Sequence, residues 1–317
     1  MIRALAITGP TASGKTAISI ALASELGCEI ISCDSMQIYK DMNVGTAKVT
    51  EEEAAGIPHH LIDFVEPFEP FSVEDYRIRA LEAAKSITSR GKIPMLVGGT
   101  GLYVDALMRA PMTNVPESSR EYRDNILAEI KTEADIDALW QRLYKVDPES
   151  AEAIHKNNVR RVIRALEIYD TCGRTKSEID RESKMAAPDI SVGMITLDFH
   201  DRENLYRRTD ARVDIMMRDG LLDEVSALYG SGRLPKNSTA AQAIGYKEII
   251  RHLDGEISLA EAIDLIKLGT RRYAKRQLTW FRHNEARRLY LDSEGGVMRD
   301  MKGIIAEAVS LAHELIQ

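Results

Sequence analysis

The segment Gly9-Pro10-Thr11-Ala12-Ser13-Gly14-Lys15-Thr16 carries the most specific chemistry in the chain. Its spacing is that of a phosphate-binding loop: the glycines let successive backbone N–H groups turn inward on an anion, and the helix behind adds its positive end. Lys15 is then placed to neutralise phosphate oxygens and the Thr16 hydroxyl to ligate Mg²⁺. Such a loop specifies a bound polyphosphate, not the molecule that carries it. A phosphoryl-transferring protein also needs an Asp after an apolar strand to hold the metal. Pro94 to Val97 runs instead into Gly98-Gly99-Thr100, with no carboxylate, which leaves Asp198, after Ile195-Thr196-Leu197, as the remaining candidate. The set required for hydrolysis or kinase chemistry is incomplete.

Two further residues have the right types in the right places. Asp34 follows an apolar run at Glu29 to Ser32, and Thr100 follows the run at Pro94 to Val97. In open parallel sheets ligands bind beyond the carboxyl ends of strands, so both would face the phosphate loop. A carboxylate there serves as metal ligand or general base, and a hydroxyl can steady charge on a leaving oxygen. Sequence alone also allows Asp34 to cap a turn and Thr100 to cap the next helix.

These residues need elements to hold them. Ala4 to Thr8 reads as a strand entering the glycine loop, and Ala17 to Leu26 as the helix leaving it. Strands at Glu29–Ser32, Pro94–Val97 and Val192–Leu197 alternate with a helix from Val73 to Arg90, which predicts an α/β fold: a P-loop NTPase-like parallel sheet flanked by helices. From Thr113 to about Ala187 the pattern turns helical (Ser118 to Ile130, Ile136 to Tyr144, Val159 to Thr171). We therefore expect a catalytic core of residues 1–112 and 191–317 and an all-helical insertion domain at 113–190. Further helices are expected at Leu205–Leu228, Thr239–His252, Leu259–Arg282 and Ile304–Ile316.

With 317 residues, 44% of them hydrophobic, the chain can bury one large core or two smaller ones. No apolar stretch is long enough to span a membrane and no secretory leader is apparent, so a cytoplasmic protein is expected. Cys28, Cys33 and Cys172 form no C-x-x-C pair, which suits a reducing compartment. The net charge of -7 argues against nucleic acid as a partner, but local clustering decides that question. Acidic residues gather at Glu51–Glu53 and Glu66–Glu74, basic ones at Arg160–Arg164 and from Lys267 to Arg288. His59-His60 lacks the spacing or cysteine partners of a zinc site, and Met216-Met217 reads as core.

Asp34-Ser35-Met36-Gln37-Ile-Tyr39, Gly45-Thr-Ala-Lys48, Pro58-His-His60 and Gly98-Gly-Thr100-Gly-Leu-Tyr103 resemble the successive signatures of the transfer RNA dimethylallyltransferases. The P-loop, Asn158 to Glu167, Ala243-Ile-Gly245-Tyr246-Lys247 and Lys275-Arg276-Gln277-Leu-Thr-Trp280-Phe-Arg282 continue the likeness in family order over nearly the whole chain. The resemblance implies dimethylallyl diphosphate as donor, Mg²⁺ as cofactor, and the anticodon stem-loop of transfer RNA as partner, with N6 of the adenosine just 3′ of the anticodon as acceptor. It assigns Asp34 as the base that takes the amine proton. Thr100, Lys15, metal on Thr16 and the loop amides steady the leaving diphosphate. The family's pyrophosphate-contacting arginine maps to Arg208, with Arg207 adjacent. RNA contact is implied for Asp34, Ser35, Met36, Gln37, Thr100, Arg123, Gly245 and Tyr246, with Ser35 and Gln37 suited to reading the adenine edge.

Two basic regions fit the same reading. Lys267, Arg271 and Lys275 repeat every four residues on one helix face, which by itself is a solvated face. With the resemblance, Lys275, Arg276, Gln277, Trp280 and Arg282 read as RNA contacts. Arg160, Arg161 and Arg164 on the insertion read likewise, the two patches gripping an anticodon stem. A monomer is expected. The competing readings are an adenylate isopentenyltransferase, which would need neither the insertion nor the basic helix; a P-loop small-molecule kinase, favoured if Asp198 holds Mg²⁺; and a nucleotide-dependent RNA-binding protein without catalysis.

Overall fold

The computed structural model describes residues 1–110 and 119–316. The chain divides into two compact units, Met1–Met108 with Asp189–Gln317, and Arg109–Pro188. The first unit begins β1 (Ile2–Thr8), α1 (Lys15–Leu26), β2 (Cys28–Ser32), α2 (Glu51–Ala54), β3 (His59–His60), α3 (Val73–Ser89), β4 (Ile93–Gly98) and α4 (Gly101–Met108). The second unit is helical: α5 (Arg120–Glu129), α6 (Glu133–Val146), α7 (Pro148–Ala153), α8 (Val159–Cys172) and α9 (Lys176–Met185). The first unit then resumes with β5 (Ile190–Asp198), α10 (Arg202–Arg218), α11 (Leu221–Gly230) and a 3₁₀ turn (Ala240–Gln242). It ends with α12 (Tyr246–Leu253), α13 (Leu259–Phe281), β6 (Arg287–Tyr290) and α14 (Met301–Ile316).

The six strands run in the order β3-β2-β4-β1-β5-β6, and every neighbouring pair is parallel. Parallel strands must be covered on both faces, and the central strand β1 shows how. Leu5 and Ile7 pack with Ile18, Leu22, Leu278 and Ile304 in one core, while Ala4 and Ala6 pack with Tyr76, Ala80, Val104 and Phe281 in another. Truncating a fully buried residue such as Ile7 to Ala would cost roughly 2–5 kcal/mol. A third core joins Ile38 and Tyr39 to Val213, Leu221 and Tyr246. The helical unit has its own, built on Leu143, Val162, Ile163 and Leu166.

Thr8 is level with Gly98 on one side and Thr196 on the other, so the loops after β1, β4 and β5 leave the sheet along one rim. The rim after β2 and β4 is tightly fixed. A Cβ on Gly98 would fall 2.2 Å from the Cys33 carbonyl oxygen, so only glycine lets the two strand ends lie this close.

Several elements differ from expectation. The single helix expected over 205–228 is two, parted at Gly220 with φ 102°, and the one over 239–252 is a 3₁₀ turn and a helix parted at Gly245 with φ 100°. Both angles lie where only glycine is at ease and an α-helix cannot continue. β3 and β6 escaped notice because they are short and polar, at the sheet edges where one flank is unpaired. The helices α2, α4, α7 and α9 are likewise too short or too polar to show a long apolar period. The expected helix start at Ser118, and the 112/113 domain boundary, lie outside the described residues. No helix of the described residues is long and apolar enough to cross a membrane.

Candidate functional site

The glycine loop leaves β1 and closes into α1. Ala12 sits at φ 61°, in the left-handed region that turns consecutive amides to one side. Its carbonyl accepts a hydrogen bond from Arg208 Nε at 2.7 Å, so α10 holds the loop from above. Lys15 Nζ donates to the loop's own carbonyls, Gly9 at 3.1 Å and Pro10 at 2.7 Å. Burial pushes the Lys15 ammonium down to about 8, against the pull of Asp34, and nearby Arg212 lowers it further. Burial also lowers the Arg208 and Arg212 guanidiniums. Cations gathered where their charge is disfavoured make a site for an anion.

Two buried groups make the same point. Ser13 Oγ and Arg212 Nε find no hydrogen-bond partner among the described residues. Buried polar atoms are nearly always paired, and exceptions mark strain or a ligand. Arg207, the neighbour of Arg208, turns instead to Asn204 Oδ1 at 2.6 Å.

Asp34 lies two residues past β2. Its Oδ1 accepts the N–H groups of Met36 at 2.9 Å and Gln37 at 3.3 Å. The turn-capping alternative is therefore real, but it occupies one oxygen only. Thr100 Oγ1 accepts the Ser35 N–H at 3.1 Å and lies 3.4 Å from Ser35 Oγ, and the Thr100 N–H donates to Cys33 O at 3.0 Å. Asp34 and Thr100 are thus coupled through the residues between and beside them.

Asp34, Ser35 and Met36 line a cavity of about 300 Å³ with Thr11, Arg212 and Tyr273. Gly14, Thr16, Arg208 and Arg212 line a larger one of about 870 Å³. Arg212 borders both. Sequence reading passed over it, although its spacing of four from Arg208 puts the two on one face of α10.

Other expected contacts are placed differently. Gln277 is buried: its Oε1 accepts the Thr11 N–H at 2.8 Å and its Nε2 donates to Gly99 O at 2.9 Å, so it braces the phosphate loop from within. The Gln37 amide is also spent internally. Nε2 donates to Thr46 O and Ala47 O at 3.2 Å each, and Oε1 accepts from Ser32 Oγ at 3.2 Å, so it does not offer an edge to adenine. Tyr246 is fully buried and Gly245 N donates to Glu248 Oε2 at 2.8 Å, which places both inside the protein. Trp280 lies against Gly101 at the start of α4. Lys267 and Arg271 pair with Asp214 and Asp210 of α10, carboxylates that the α13 sequence could not reveal. Lys275 and Arg276 remain exposed, Arg276 resting over the Tyr273 ring. Arg123, Arg160, Arg161 and Arg164 belong to the helical unit, where Arg160 and Arg161 are exposed. Arg164 bonds buried Glu167 at 2.8 Å, and Arg123 Nε donates to Ser119 O at 3.2 Å.

Asp198 is 1% exposed. Its Oδ1 accepts from Phe199 N at 2.8 Å and meets Arg282 at 3.4 Å, while Oδ2 meets Arg288 at 3.3 Å. Two guanidiniums beside one buried carboxylate leave it poorly suited to a divalent cation, while Arg282 itself stays exposed. His59 and His60 also have separate uses: His59 Nδ1 donates to Ile57 O at 2.8 Å, and His60 pairs with buried Glu29 at 2.8 Å. No group of three or more metal-binding side chains occurs among the described residues.

A parallel sheet with a glycine loop leaving its central strand, an arginine bonded to that loop and a carboxylate-bearing cavity beside it define an α/β protein of the P-loop type. Residues 37–284 match the family model described as IPP transferase, and residues 2–63 that of isopentenyl transferase. The chain belongs to the IPP transferase family. It is 50% identical over 282 residues to the tRNA dimethylallyltransferase of Thermoanaerobacter sp. (strain X514), covering 89% of each chain. It is 48% identical over 278 residues to that of Bacillus cereus (strain AH820), covering 87% of this chain and 86% of the other. Among solved structures it is similar to the full-length tRNA isopentenylpyrophosphate transferase of Bacillus halodurans, at 42% identity and a TM-score of 0.72, covering 100% and 97% of the two chains. A eukaryotic dimethylallyltransferase acting on tRNA matches at 32% identity and a TM-score of 0.77, covering 92% of this chain and 74% of the other.

Proposed function

We propose that this enzyme transfers a dimethylallyl group from dimethylallyl diphosphate to N6 of the adenosine just 3′ of the anticodon in transfer RNA, releasing diphosphate. The observation that carries this reading is the pair of cavities meeting at Arg212, one walled by the phosphate loop and the other by Asp34. On this reading one cavity takes the leaving diphosphate and the other holds the proton acceptor.

The adenine amine is a poor nucleophile because its lone pair is delocalised into the ring. Asp34 takes the N6 proton as N6 bonds to the allylic carbon, and the broken carbon–oxygen bond leaves its electron pair on the diphosphate. Lys15, Arg208, Arg212 and the loop amides meet the charge that grows there. Thr100 holds the Asp34–Ser35 turn and presents its hydroxyl beside it. Thr16 is exposed at the mouth of the larger cavity, and no carboxylate cluster among the described residues competes for metal, so its hydroxyl together with diphosphate oxygens fits Mg²⁺. Bound there, Mg²⁺ supplies additional positive charge to the leaving group. Lys275, Arg276, Arg160 and Arg161 are exposed cations suited to the RNA backbone. The enzyme acts in the cytoplasm as a monomer, which sedimentation of the free protein checks.

The test supplies Mg²⁺ and dimethylallyl diphosphate with either unmodified transfer RNA or AMP and seeks a five-carbon mass gain. A gain on RNA is expected; a gain on AMP alone would favour the adenylate-directed alternative. Asp34→Ala should abolish turnover with RNA binding kept, and equal turnover would remove Asp34 as the base.

A further inference from the structure

The segment Gly45-Thr46-Ala47-Lys48 walls both cavities: Gly45 and Thr46 line the one that holds Asp34, Ala47 and Lys48 the one that holds the phosphate loop. One carboxylate on a distant helix grips the start of this wall. Glu224, in the first turn of α11, accepts three consecutive backbone N–H groups: Asn43 and Val44 on Oε2 at 2.7 Å each, and Gly45 on Oε1 at 3.1 Å. Oε1 also accepts the Tyr246 hydroxyl at 2.5 Å. The Tyr246 ring lies so close beneath the loop that a Cβ on Gly45 would come within 2.5 Å of it. Two sequence motifs far apart in the chain, Gly45–Lys48 and Ala243–Lys247, thus meet on one acid that neither contains.

The connection continues toward the chemistry. The wall's carbonyls, Thr46 O and Ala47 O, take the Gln37 amide, and the Gln37 N–H donates to Asp34 Oδ1 at 3.3 Å. We propose that Glu224 is a positioning residue: by clasping the amides of 43–45 it fixes the partition between donor and acceptor cavities and, through Gln37, the aim of the Asp34 carboxylate. The inference rests on the prenyl-transfer reading for the identity of the reaction, but the clasp itself can be measured without it. A carboxylate is needed because all four partners are donors. An amide in its place offers one acceptor oxygen and turns an N–H₂ toward N–H groups.

The test compares Glu224→Gln with Asp223→Asn, an exposed neighbour on the same helix turn, in the full chain. Amide hydrogen exchange at 43–45 should be faster in Glu224→Gln alone, while thermal unfolding shows that the protein remains folded. Single-turnover transfer to RNA should fall by up to about 100-fold, as misplacement of a reacting group by about 1 Å does, with RNA affinity changed far less. Tyr246→Phe, which keeps the ring and removes one of four donors, should fall between wild type and Glu224→Gln. Unchanged exchange at 43–45, or transfer in Glu224→Gln as fast as in Asp223→Asn, would overturn the proposal. If the unsubstituted protein fails to modify RNA, the prenyl-transfer reading falls, and exchange at 43–45 still decides whether Glu224 holds the wall.

Discussion

Gln277 and Thr11 lie 266 positions apart, yet the side-chain oxygen of one accepts the backbone N–H of the other at 2.8 Å. The same amide donates to Gly99 O, so a residue of α13 ties the phosphate loop to the end of β4. Gln277→Leu should leave a part-buried N–H and a buried carbonyl unpaired. A loss of about 1–3 kcal/mol in denaturant unfolding is expected. The KM for dimethylallyl diphosphate should rise while RNA binding holds; weaker RNA binding with an unaltered donor KM would restore Gln277 to the RNA face.

Lys15 is held near 8 by burial, whereas in the unfolded chain it titrates near its ordinary 10.5. The unfolded chain therefore holds more protons between those values. The destabilising cost of the buried ammonium is fully present below pH 8 and is relieved as pH rises toward 10.5. A bound diphosphate would favour the charged form. Pyrophosphate binding above pH 8 should accordingly take up a proton, visible in titration calorimetry as a dependence on buffer ionisation enthalpy. Lys15→Met should bind with a smaller dependence.

Glu29 behaves in the opposite sense. Burial pushes its carboxyl up, but hydrogen bonds from Arg90, His60 and Lys92 outweigh that and hold it at about 2, below its ordinary 4.5. Its stabilising contribution is present above pH 4.5 and is lost as pH falls toward 2. Glu29→Gln should lower the unfolding midpoint at pH 7 and flatten the acid limb of the stability curve. An unchanged acid limb would show that the His60 motif does not anchor the sheet edge.

Lys275 and Arg276 are exposed on α13, whereas Lys267 and Arg271 on the same helix are tied to α10. Replacing the first pair by Ala should weaken RNA binding and lower the slope of log affinity against log salt by about 0.7–0.9 for each phosphate that is no longer neutralised. Replacing the second pair should leave the slope as it was and instead loosen α10. Filter binding across a salt series separates the two outcomes.

What the sequence revealed follows from the range of the interactions involved. The phosphate loop was legible because its glycines, Lys15 and Thr16 act within eight consecutive positions, and the parallel sheet because each central strand is a short apolar run. The resemblance points to Arg208 with Arg207 adjacent, and the direction of α10 adds which of the two bonds the loop; Arg212 required seeing two cavities at once. Gln37, Gln277 and Tyr246 looked like surface readers because polar types at motif positions suggest ligands. Their partners, Thr46, Thr11 and Glu224, lie in other segments, and no local periodicity reports a hydrogen bond that closes across the fold.

Because Arg212 borders both cavities, the proposed donor and acceptor would have a cation in common. Whatever factor the prenyl diphosphate imposes on the affinity for RNA, the RNA must return in equal measure on the diphosphate. The two substrates form a thermodynamic cycle, and Arg212 with Met216, the α10 residues common to both cavities, is where a departure from additivity would be sought.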